Sequence, residues 1–300
     1  MKTAFIFPGQ GSQLVGMGKG FAEALLDQAN EVLGIDLKRI CFEGSQEELK
    51  KTEISQPAIL TVSIAAFDIL KSKNIKPDYV AGHSLGEYSA LVAAESINFK
   101  DAVRLVYLRG KFMQEAVPIG QGAMAAILML DKEQIKECCD KAKDKGVVQI
   151  ANFNAPGQIV ISGEREAVLA ASAFCKEAGA KRIIPLAVSA PFHSILMQKA
   201  ADKLKIELDK INIKDANVPL VSNIDAEPVT SALKIKENLY SQVVGSVLWE
   251  DSVKKMVSLG VEKFIEVGPG NVLCGLVKKI DPTLVRVQNF ESVLLEGFGR

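Results

Sequence analysis

Short apolar runs alternate along this chain with longer stretches in which apolar residues recur at helical spacing. This alternation favours an α/β fold with a mainly parallel sheet. Two of the runs, Thr3–Phe7 and Tyr79–Gly82, predict buried strands that lead into loops containing glycine. Helices are predicted up to Leu33, over 55–70, from residue 86 to about residue 94, and over 101–117 with Asp101 as N-cap.

The middle of the chain has a different rhythm, with elements in the order β-α-β-β-α-β that is typical of a ferredoxin-like unit. Its strands are predicted at 123–130, 147–152, 158–162 and 181–188, and its helices at 131–145 and 164–178. We therefore expect residues 122–190 to form a small subdomain inserted into a catalytic domain made of 1–121 and 191–300. The larger domain is expected to resume with a helix after His193 and strands near 218–222, 263–267 and 284–287. The last residues, 291–300, match no element.

The composition excludes several classes of protein. The chain is 48% hydrophobic, and its 36 Lys and Arg balance 36 Asp and Glu, which is unlike the basic surplus of a nucleic-acid-binding protein. The five cysteines form no C-x-x-C pair, a usage typical of reduced thiols in the cytosol. No apolar stretch approaches the roughly 20 residues that span a bilayer. We expect a soluble, cytoplasmic monomer that binds neither nucleic acid nor membrane.

A candidate nucleophile lies between the second strand and the helix that follows it. Gly82-His83-Ser84-Leu85-Gly86 fits the pattern G-x-S-x-G of a nucleophile elbow. The tight turn needs glycine on both sides of the serine, and it would lift the Ser84 hydroxyl above the sheet at a helix N-terminus. There the amide of Leu85 can donate to a developing oxyanion. The alternative is a chance match in a surface turn, but the strand and helix on either side favour the elbow.

A serine nucleophile needs a base, and the chain has only two histidines. His83 adjoins Ser84, where neighbouring side chains diverge, so we expect it to brace the turn. His193 remains as the candidate base. A serine followed later by a histidine is also the chain order of α/β-hydrolases.

Two further positions are candidates for substrate binding. The loop at residues 8–13 fits neither phosphate-binding glycine pattern, because no G-K-[ST] follows and the third glycine of G-x-G-x-x-G is replaced by Leu14. We interpret it as a loop beside the oxyanion, with the amide of Gln10 as second donor. Arg109 lies on a predicted helix among apolar neighbours. A lone helical arginine is usually a solvated charge, and the sequence leaves both orientations open.

Several motifs together resemble the malonyl-CoA:acyl-carrier-protein transacylases of bacterial type II fatty-acid synthesis, in matching order over nearly the whole chain. The motifs are Phe7-Pro8-Gly9-Gln10-Gly11-Ser12-Gln13, Gly82-His83-Ser84-Leu85-Gly86-Glu87-Tyr88, Arg109-Gly110, Asn152-Phe153-Asn154-Ala155-Pro156-Gly157-Gln158, Pro191-Phe192-His193 and Glu266-Val267-Gly268-Pro269-Gly270. The resemblance implies an α/β-hydrolase-like core with mainly parallel sheet plus the ferredoxin-like subdomain. It also implies that the substrate is a coenzyme A thioester and the partner an acyl carrier protein.

The resemblance assigns roles to five residues. Ser84 would carry the malonyl ester, and His193 would shuttle protons. The amides of Gln10 and Leu85 would form the oxyanion hole, and Arg109 would bind the malonyl carboxylate.

A sixth role falls on Leu248. In some relatives a glutamine precedes the tryptophan that matches Trp249, and its main-chain carbonyl orients the histidine. Leu248 occupies that position here, so its carbonyl is the expected histidine-orienting group.

The implied reaction is acyl transfer in two steps, with attack of the serine on malonyl-CoA and then transfer to the phosphopantetheine thiol of acyl carrier protein. Neither a metal nor a redox cofactor is expected, because two histidines and scattered cysteines do not make a zinc site. One alternative is a serine thioesterase or esterase with water as acceptor. Another is a non-catalytic module that binds acyl carrier protein or nucleotide. The choice between malonyl and methylmalonyl, and between fatty-acid and polyketide synthesis, stays open.

Overall fold

A computed structural model describes residues 1–188, 190–284 and 286–297. The strands are β1 (Lys2–Phe7), β2 (Tyr79–Gly82), β3 (Gly122–Leu128), β4 (Val148–Ala155), β5 (Gln158–Glu164), β6 (Arg182–Pro185), β7 (Leu220–Val221), β8 (Pro228–Val229), β9 (Val261–Glu266) and β10 (Arg286–Asn289). The α-helices are α1 (Glu23–Leu33), α2 (Leu37–Glu43), α3 (Gln46–Lys50), α4 (Thr52–Ser72), α5 (Gly86–Ala93), α6 (Phe99–Glu115), α7 (Lys132–Lys141), α8 (Arg165–Glu177), α9 (Gln198–Leu208), α10 (Ala232–Gln242), α11 (Trp249–Ser258), α12 (Val272–Ile280) and α13 (Phe290–Gly297).

The larger sheet has six strands in the order β10-β9-β1-β2-β7-β8, and only the edge strand β8 runs antiparallel to its neighbour. Its central strand β1 is apolar and buried from Thr3 onward, as expected when helices cover both faces of a parallel sheet. The register of β1 and β2 places Phe7 beside Gly82. The loops that follow these two strands therefore leave the same edge of the sheet side by side.

The smaller sheet is antiparallel, with the order β4-β5-β3-β6, and it is formed entirely from the chain between β3 and β6. Helices α7 and α8 pack on it around a separate apolar cluster that includes Ile127, Ile161 and Ala171. The β-α-β-β-α-β order predicted from the sequence is the observed one. Strand β6 ends at Pro185, three residues before the predicted end, and Ser189 of the expected subdomain lies outside the described residues.

Helix α4 passes the simplest test for a membrane span, which the sequence analysis did not anticipate. It has 21 residues, and its most apolar window has a mean hydropathy of 1.3. However, 78% of that window is buried inside the protein. The length and apolar character of α4 are those of a core helix that is surrounded by protein on most sides.

Two local predictions were wrong. The N-cap of α6 is Asn98, whose side chain accepts a hydrogen bond from the amide of Asp101, so the helix begins two residues before the predicted start. Helix α13, Phe290–Gly297, extends into residues 291–300, for which no element was predicted. Val285, within the predicted strand 284–287, and residues 298–300 lie outside the described part of the chain.

Candidate active site

The turn after β2 is compressed so strongly that only glycine fits on either side of Ser84. A Cβ atom on Gly82 would lie 1.9 Å from the carbonyl carbon of Gly86, and one on Gly86 would lie 2.0 Å from the carbonyl oxygen of Phe7. Ser84 itself has φ 52°, a left-handed value that is strained for a residue with a Cβ. This is the geometry of the nucleophile elbow predicted from the G-x-S-x-G pattern.

Two buried amide side chains hold the elbow in its strained conformation. Oδ1 of Asn223 accepts a hydrogen bond from the amide of Ser84 at 2.7 Å, while Nδ2 donates to the carbonyl of Gly82 at 2.6 Å. Nε2 of Gln242 donates to the carbonyl of Ser84 at 3.0 Å. The polar groups of this turn are thus hydrogen-bonded to one side chain just after β7 and to another at the end of α10. Together these bonds keep the turn in its strained conformation.

Ser84 and His193 are brought together across 109 residues of sequence. Their Oγ and Nε2 atoms lie 2.7 Å apart. On the other side of the ring, Nδ1 lies 2.8 Å from the carbonyl oxygen of Gln242 and 3.2 Å from that of Gly245. Because carbonyl oxygens only accept hydrogen bonds, Nδ1 carries the proton, and Nε2 is left unprotonated to receive the proton of the serine.

The environment of His193 favours its neutral form. Burial, and next the nearby positive charge of Arg109, lower the pKa of the imidazole to about 3. The ring is therefore an unprotonated acceptor at neutral pH, as a general base must be at the start of the reaction.

The prediction that Leu248 orients the histidine was wrong. Its carbonyl accepts hydrogen bonds from the amide of Ser252 at 2.9 Å and from the Ser252 hydroxyl at 2.7 Å. Trp249 is the first residue of α11, so the carbonyl before it is taken up by the first turn of that helix. The orienting carbonyls belong to Gln242 and Gly245.

His83 lies beside the elbow and is bonded away from it. Its Nε2 is 2.8 Å from Oδ1 of Asn154 on β4, and its ring packs against Trp249 at 5.7 Å between centroids. Burial lowers the pKa of this imidazole. These contacts connect the elbow to the smaller sheet, in keeping with a structural histidine.

Arg109 is buried, with 2% of its surface exposed, and its guanidinium reaches the nucleophile. Nη1 donates to Oε1 of Gln56 at 2.9 Å, and Nη2 donates to Oε1 of Gln242 at 2.9 Å and to Oγ of Ser84 at 3.1 Å. The ring of Tyr88 lies 5.4 Å from Cζ.

Arg109 forms no ion pair with a described residue, although Tyr88 and Glu87 lie close enough to favour its charged form. Within the described residues no carboxylate oxygen comes within 4 Å of the guanidinium, and buried Nε has no hydrogen-bond acceptor there. Burial lowers the pKa of this group from its ordinary value, but an arginine stays protonated in proteins. The result is a buried cation beside a nucleophile, surrounded by neutral acceptors and with donors to spare.

The two predicted oxyanion donors lie on the two loops that leave the sheet side by side. Gly9 packs so closely on the elbow that a Cβ there would lie 2.4 Å from the carbonyl oxygen of His83, which places the amide of Gln10 next to the turn. Leu85 is the N-cap of α5. Neither amide donates a hydrogen bond to another described residue, so both remain available for a substrate oxygen.

A cleft of about 490 Å³ opens above these groups. It is lined by Gln10, Ser84, Arg109 and His193, with apolar side chains on its walls and two asparagines from the smaller sheet. The wall residues include Met113, Met124, Val160, Leu186, Phe192, Asn152 and Asn154. In the part of the chain that the structure describes, no three His, Cys, Asp or Glu side chains are grouped to hold a metal ion.

Sequence reasoning missed the amides that organise this site. Gln56 and Gln242 are the buried partners of Arg109, and Asn223 is the partner of the elbow. None belongs to a motif with a known spacing. The only signal was an amide placed within an otherwise apolar helical stretch, as for Gln56 in α4.

Comparison with known proteins places this architecture among acyltransferases. The acyl transferase domain family matches residues 4–295. A malonyl CoA-acyl carrier protein transacylase from Bacillus subtilis is 54% identical over 98% of this chain and 96% of its own length. An acyl carrier protein S-malonyltransferase from Vibrio cholerae superimposes with a TM-score of 0.93, at 45% identity over 96% of both chains. A malonyl-transacylase solved in complex with a type II PKS acyl-carrier protein matches with a TM-score of 0.92 at 45% identity, over 96% of this chain and 94% of that one.

Proposed function

Since this chain belongs to the acyl transferase domain family, we propose that it moves a malonyl group from malonyl-CoA to the phosphopantetheine thiol of acyl carrier protein, in fatty-acid biosynthesis. The observation that carries the proposal is the unpaired guanidinium of Arg109, 3.1 Å from the nucleophilic oxygen of Ser84. A cation held at that distance suits a short acyl group that ends in a carboxylate.

The first half-reaction forms a malonyl ester on Ser84. The hydroxyl gives its proton to Nε2 of His193 as Oγ attacks the thioester carbonyl carbon. The amides of Gln10 and Leu85 donate to the oxyanion of the tetrahedral intermediate. When the intermediate collapses, the C–S bond breaks, and the coenzyme A sulfur leaves with the proton that His193 held.

The second half-reaction runs the same steps with a new thiol. Nε2 of His193 takes the proton of the phosphopantetheine thiol, and the sulfur attacks the ester carbonyl of malonyl-Ser84. Collapse of this intermediate breaks the C–Oγ bond and returns the proton to the serine. The neutral state of His193 suits both halves, since each begins with proton removal from a neutral nucleophile.

Arg109 explains why the acyl group should be malonyl. A carboxylate that leaves water for this cleft loses several kcal/mol of hydration unless a cation compensates for it. The guanidinium offers a planar array of donors, of which Nε is unused by the described residues. The uncharged acetyl group gains nothing from it.

We propose the following finer assignments on the same grounds. The six-stranded sheet with its elbow after β2 resembles an α/β-hydrolase-like core, and residues 122–190 form the inserted ferredoxin-like subdomain. We also propose a cytoplasmic monomer, in which the apolar helix α4 is buried in the protein core. Neither a metal nor an organic cofactor takes part in the steps above.

Intact-mass analysis tests the proposal directly. Malonyl-CoA should add one malonyl group to the protein, and acyl carrier protein carrying phosphopantetheine should then remove it and gain the same mass. Ser84→Ala should give no adduct while keeping the native fluorescence of Trp249, the one tryptophan of the sequence. An adduct of normal yield in Ser84→Ala would exclude Ser84 as nucleophile. Release of free malonate as fast without carrier protein as with it would favour a thioesterase.

A further inference from the structure

The side chain of Gln242 makes contacts that the proposed function leaves unexplained. Gln242 ends α10 and is fully buried. Its main-chain carbonyl accepts from His193, but its side chain bonds to four other groups: the guanidinium of Arg109, the main chain of Ser84, the carboxyl of Glu87 and, at 3.4 Å, Oδ1 of Asn223. We propose that this side chain is a positioning residue that sets selectivity for malonyl by holding Arg109 at a fixed place relative to Ser84. The proposal rests on the transfer reaction proposed above.

The orientation of the Gln242 amide is fixed by the chemistry of its partners. Oε1 accepts from Nη2 of Arg109 at 2.9 Å, while Nε2 donates to the Ser84 carbonyl at 3.0 Å and to Oε2 of Glu87 at 2.5 Å. A flipped amide would place N–H groups against the guanidinium and an oxygen against the Ser84 carbonyl. Both contacts would be repulsive, so only one orientation is compatible with the site.

One nitrogen of the guanidinium, Nη2, is connected to Ser84 in two ways, directly and through the Gln242 amide. Nη2 touches Oγ of Ser84 directly and reaches the Ser84 carbonyl through Gln242. Gln56 restrains the other terminal nitrogen. Since the malonyl carboxylate lies one methylene beyond the carbonyl carbon that Ser84 attacks, a small displacement of the guanidinium would separate it from the carboxylate.

The choice of an uncharged amide matters as much as its place. Gln242 and Gln56 accept hydrogen bonds from Arg109 without cancelling its charge. A carboxylate at residue 242 would instead form an ion pair with the guanidinium and compete with the substrate. The site therefore orients the cation through neutral acceptors, so that no ion pair at hydrogen-bond distance competes with the incoming malonyl group among the described residues.

The test compares two variants with a matched control on the same helix. Gln242→Met keeps the length of the side chain without its polar groups, and Gln242→Glu replaces the amide with a carboxylate. The control is Asn238→Leu, which removes another buried amide, one turn earlier, that donates to Ser222 Oγ at 2.9 Å. The measurement is kcat/KM for acylation by malonyl-CoA and by acetyl-CoA, with Trp249 fluorescence as the check on folding.

The ratio of the two kcat/KM values is the readout, because loss of elbow support affects both substrates alike. In Gln242→Met the malonyl-to-acetyl ratio should fall about 10- to 100-fold, the range for a lost hydrogen bond to a charged group. In Gln242→Glu it should fall further, and this isosteric variant gives the same readout if Gln242→Met does not fold. Asn238→Leu should lower stability with an unchanged ratio.

Equal losses for both substrates in the two Gln242 variants would overturn the proposal and reduce the side chain to a structural support of the elbow. Unchanged rates for both would overturn it as well. Failure of the proposed function looks different, because the wild-type protein itself would then form no malonyl adduct.

Discussion

The main-chain carbonyl oxygen of Gln242 lies 2.8 Å from Nδ1 of His193. In a Ser-His-Asp triad a carboxylate holds this position and stabilises the imidazolium. A carbonyl fixes the tautomer equally well but adds no negative charge. Burial and the nearby cation Arg109 are therefore the dominant influences on the pKa of His193, and they lower it.

This arrangement predicts an unusual pH profile on the acid side. Because the pKa of His193 is lowered to about 3, the base stays unprotonated throughout the range from pH 8 to pH 5. The acylation kcat/KM should show no loss from this group, whereas a histidine with an ordinary pKa of about 6.5 would cost roughly 30-fold at pH 5. Stopped-flow acylation by malonyl-CoA measures it. Because burial raises the pKa of Glu87 to about 7, the profile should also be recorded in Glu87→Gln, and a decline centred near 6.5 in both proteins would contradict the prediction.

Glu87 should make the free energy of unfolding depend on pH. Burial raises its pKa to about 7 from its ordinary value of 4.5, so the folded protein holds a proton that the unfolded chain releases between these pH values. The free energy of unfolding should therefore fall as pH rises from 4.5 to 7, by on the order of 3 kcal/mol from this residue. In Glu87→Gln that loss should be absent. Urea titrations of both proteins at pH 5 and pH 7.5 give the difference, and parallel pH dependence in the two would show that Glu87 is ionised when folded.

The two histidines should fail in different ways when replaced. His193→Ala should lower the transfer rate about 10²–10⁴-fold, the range for a positioned general base. His83→Ala should act mainly on stability, by about 1 kcal/mol, because it removes the hydrogen bond to the half-buried Asn154. Asn154→Ala serves as the matched control and should reproduce the His83→Ala effect. Full stability with lost catalysis in His83→Ala, together with an active His193→Ala, would mean that the roles are exchanged.

Arg109 should separate charged from uncharged acyl groups. Arg109→Ala should lower malonyl transfer by about 3–5 kcal/mol, the scale of a broken buried ion pair. Acetyl transfer should stay level or rise, and Arg109→Lys should fall between because lysine keeps the charge but loses the planar fork. The comparison requires kcat/KM for malonyl-CoA and acetyl-CoA in all three proteins. Equal losses of kcat/KM for the two substrates would show that another residue selects the substrate.

The sequence predicted those parts of the site that depend on local turns and on rare residue types. The elbow could be found because its glycines have no alternative, and the contact between Ser84 and His193 could be inferred because the chain has only two histidines. The carbonyl that orients the histidine was assigned wrongly to Leu248. Every residue has a carbonyl, so only the start of α11 decides which ones are free to accept.

In the fold as well, elements with a clear sequence pattern were predicted and those with a weak pattern were not. The order of the smaller sheet followed from well-separated apolar runs. In contrast, β8 has two residues and α2 and α3 are short, and none of them was predicted. Such short elements depend on tertiary contacts more than on their own sequence pattern. The helices α10, α11 and α12 were missed as well, although they have 11, 10 and 9 residues.

The segment that forms the smaller sheet begins and ends at nearly the same point. A Cβ on Gly122 would lie 2.3 Å from Cδ of Pro191, so a protein engineer could excise the intervening segment and join the ends with a short linker. The shortened protein would lose the smaller sheet and also its hydrogen bonds to the larger domain. Strand β4 bonds through its main chain to both sides of Val247, two residues beyond the Gly245 carbonyl that holds His193. The chain connectivity would allow the segment to be removed, but its hydrogen bonds help to hold the carbonyl that aligns His193.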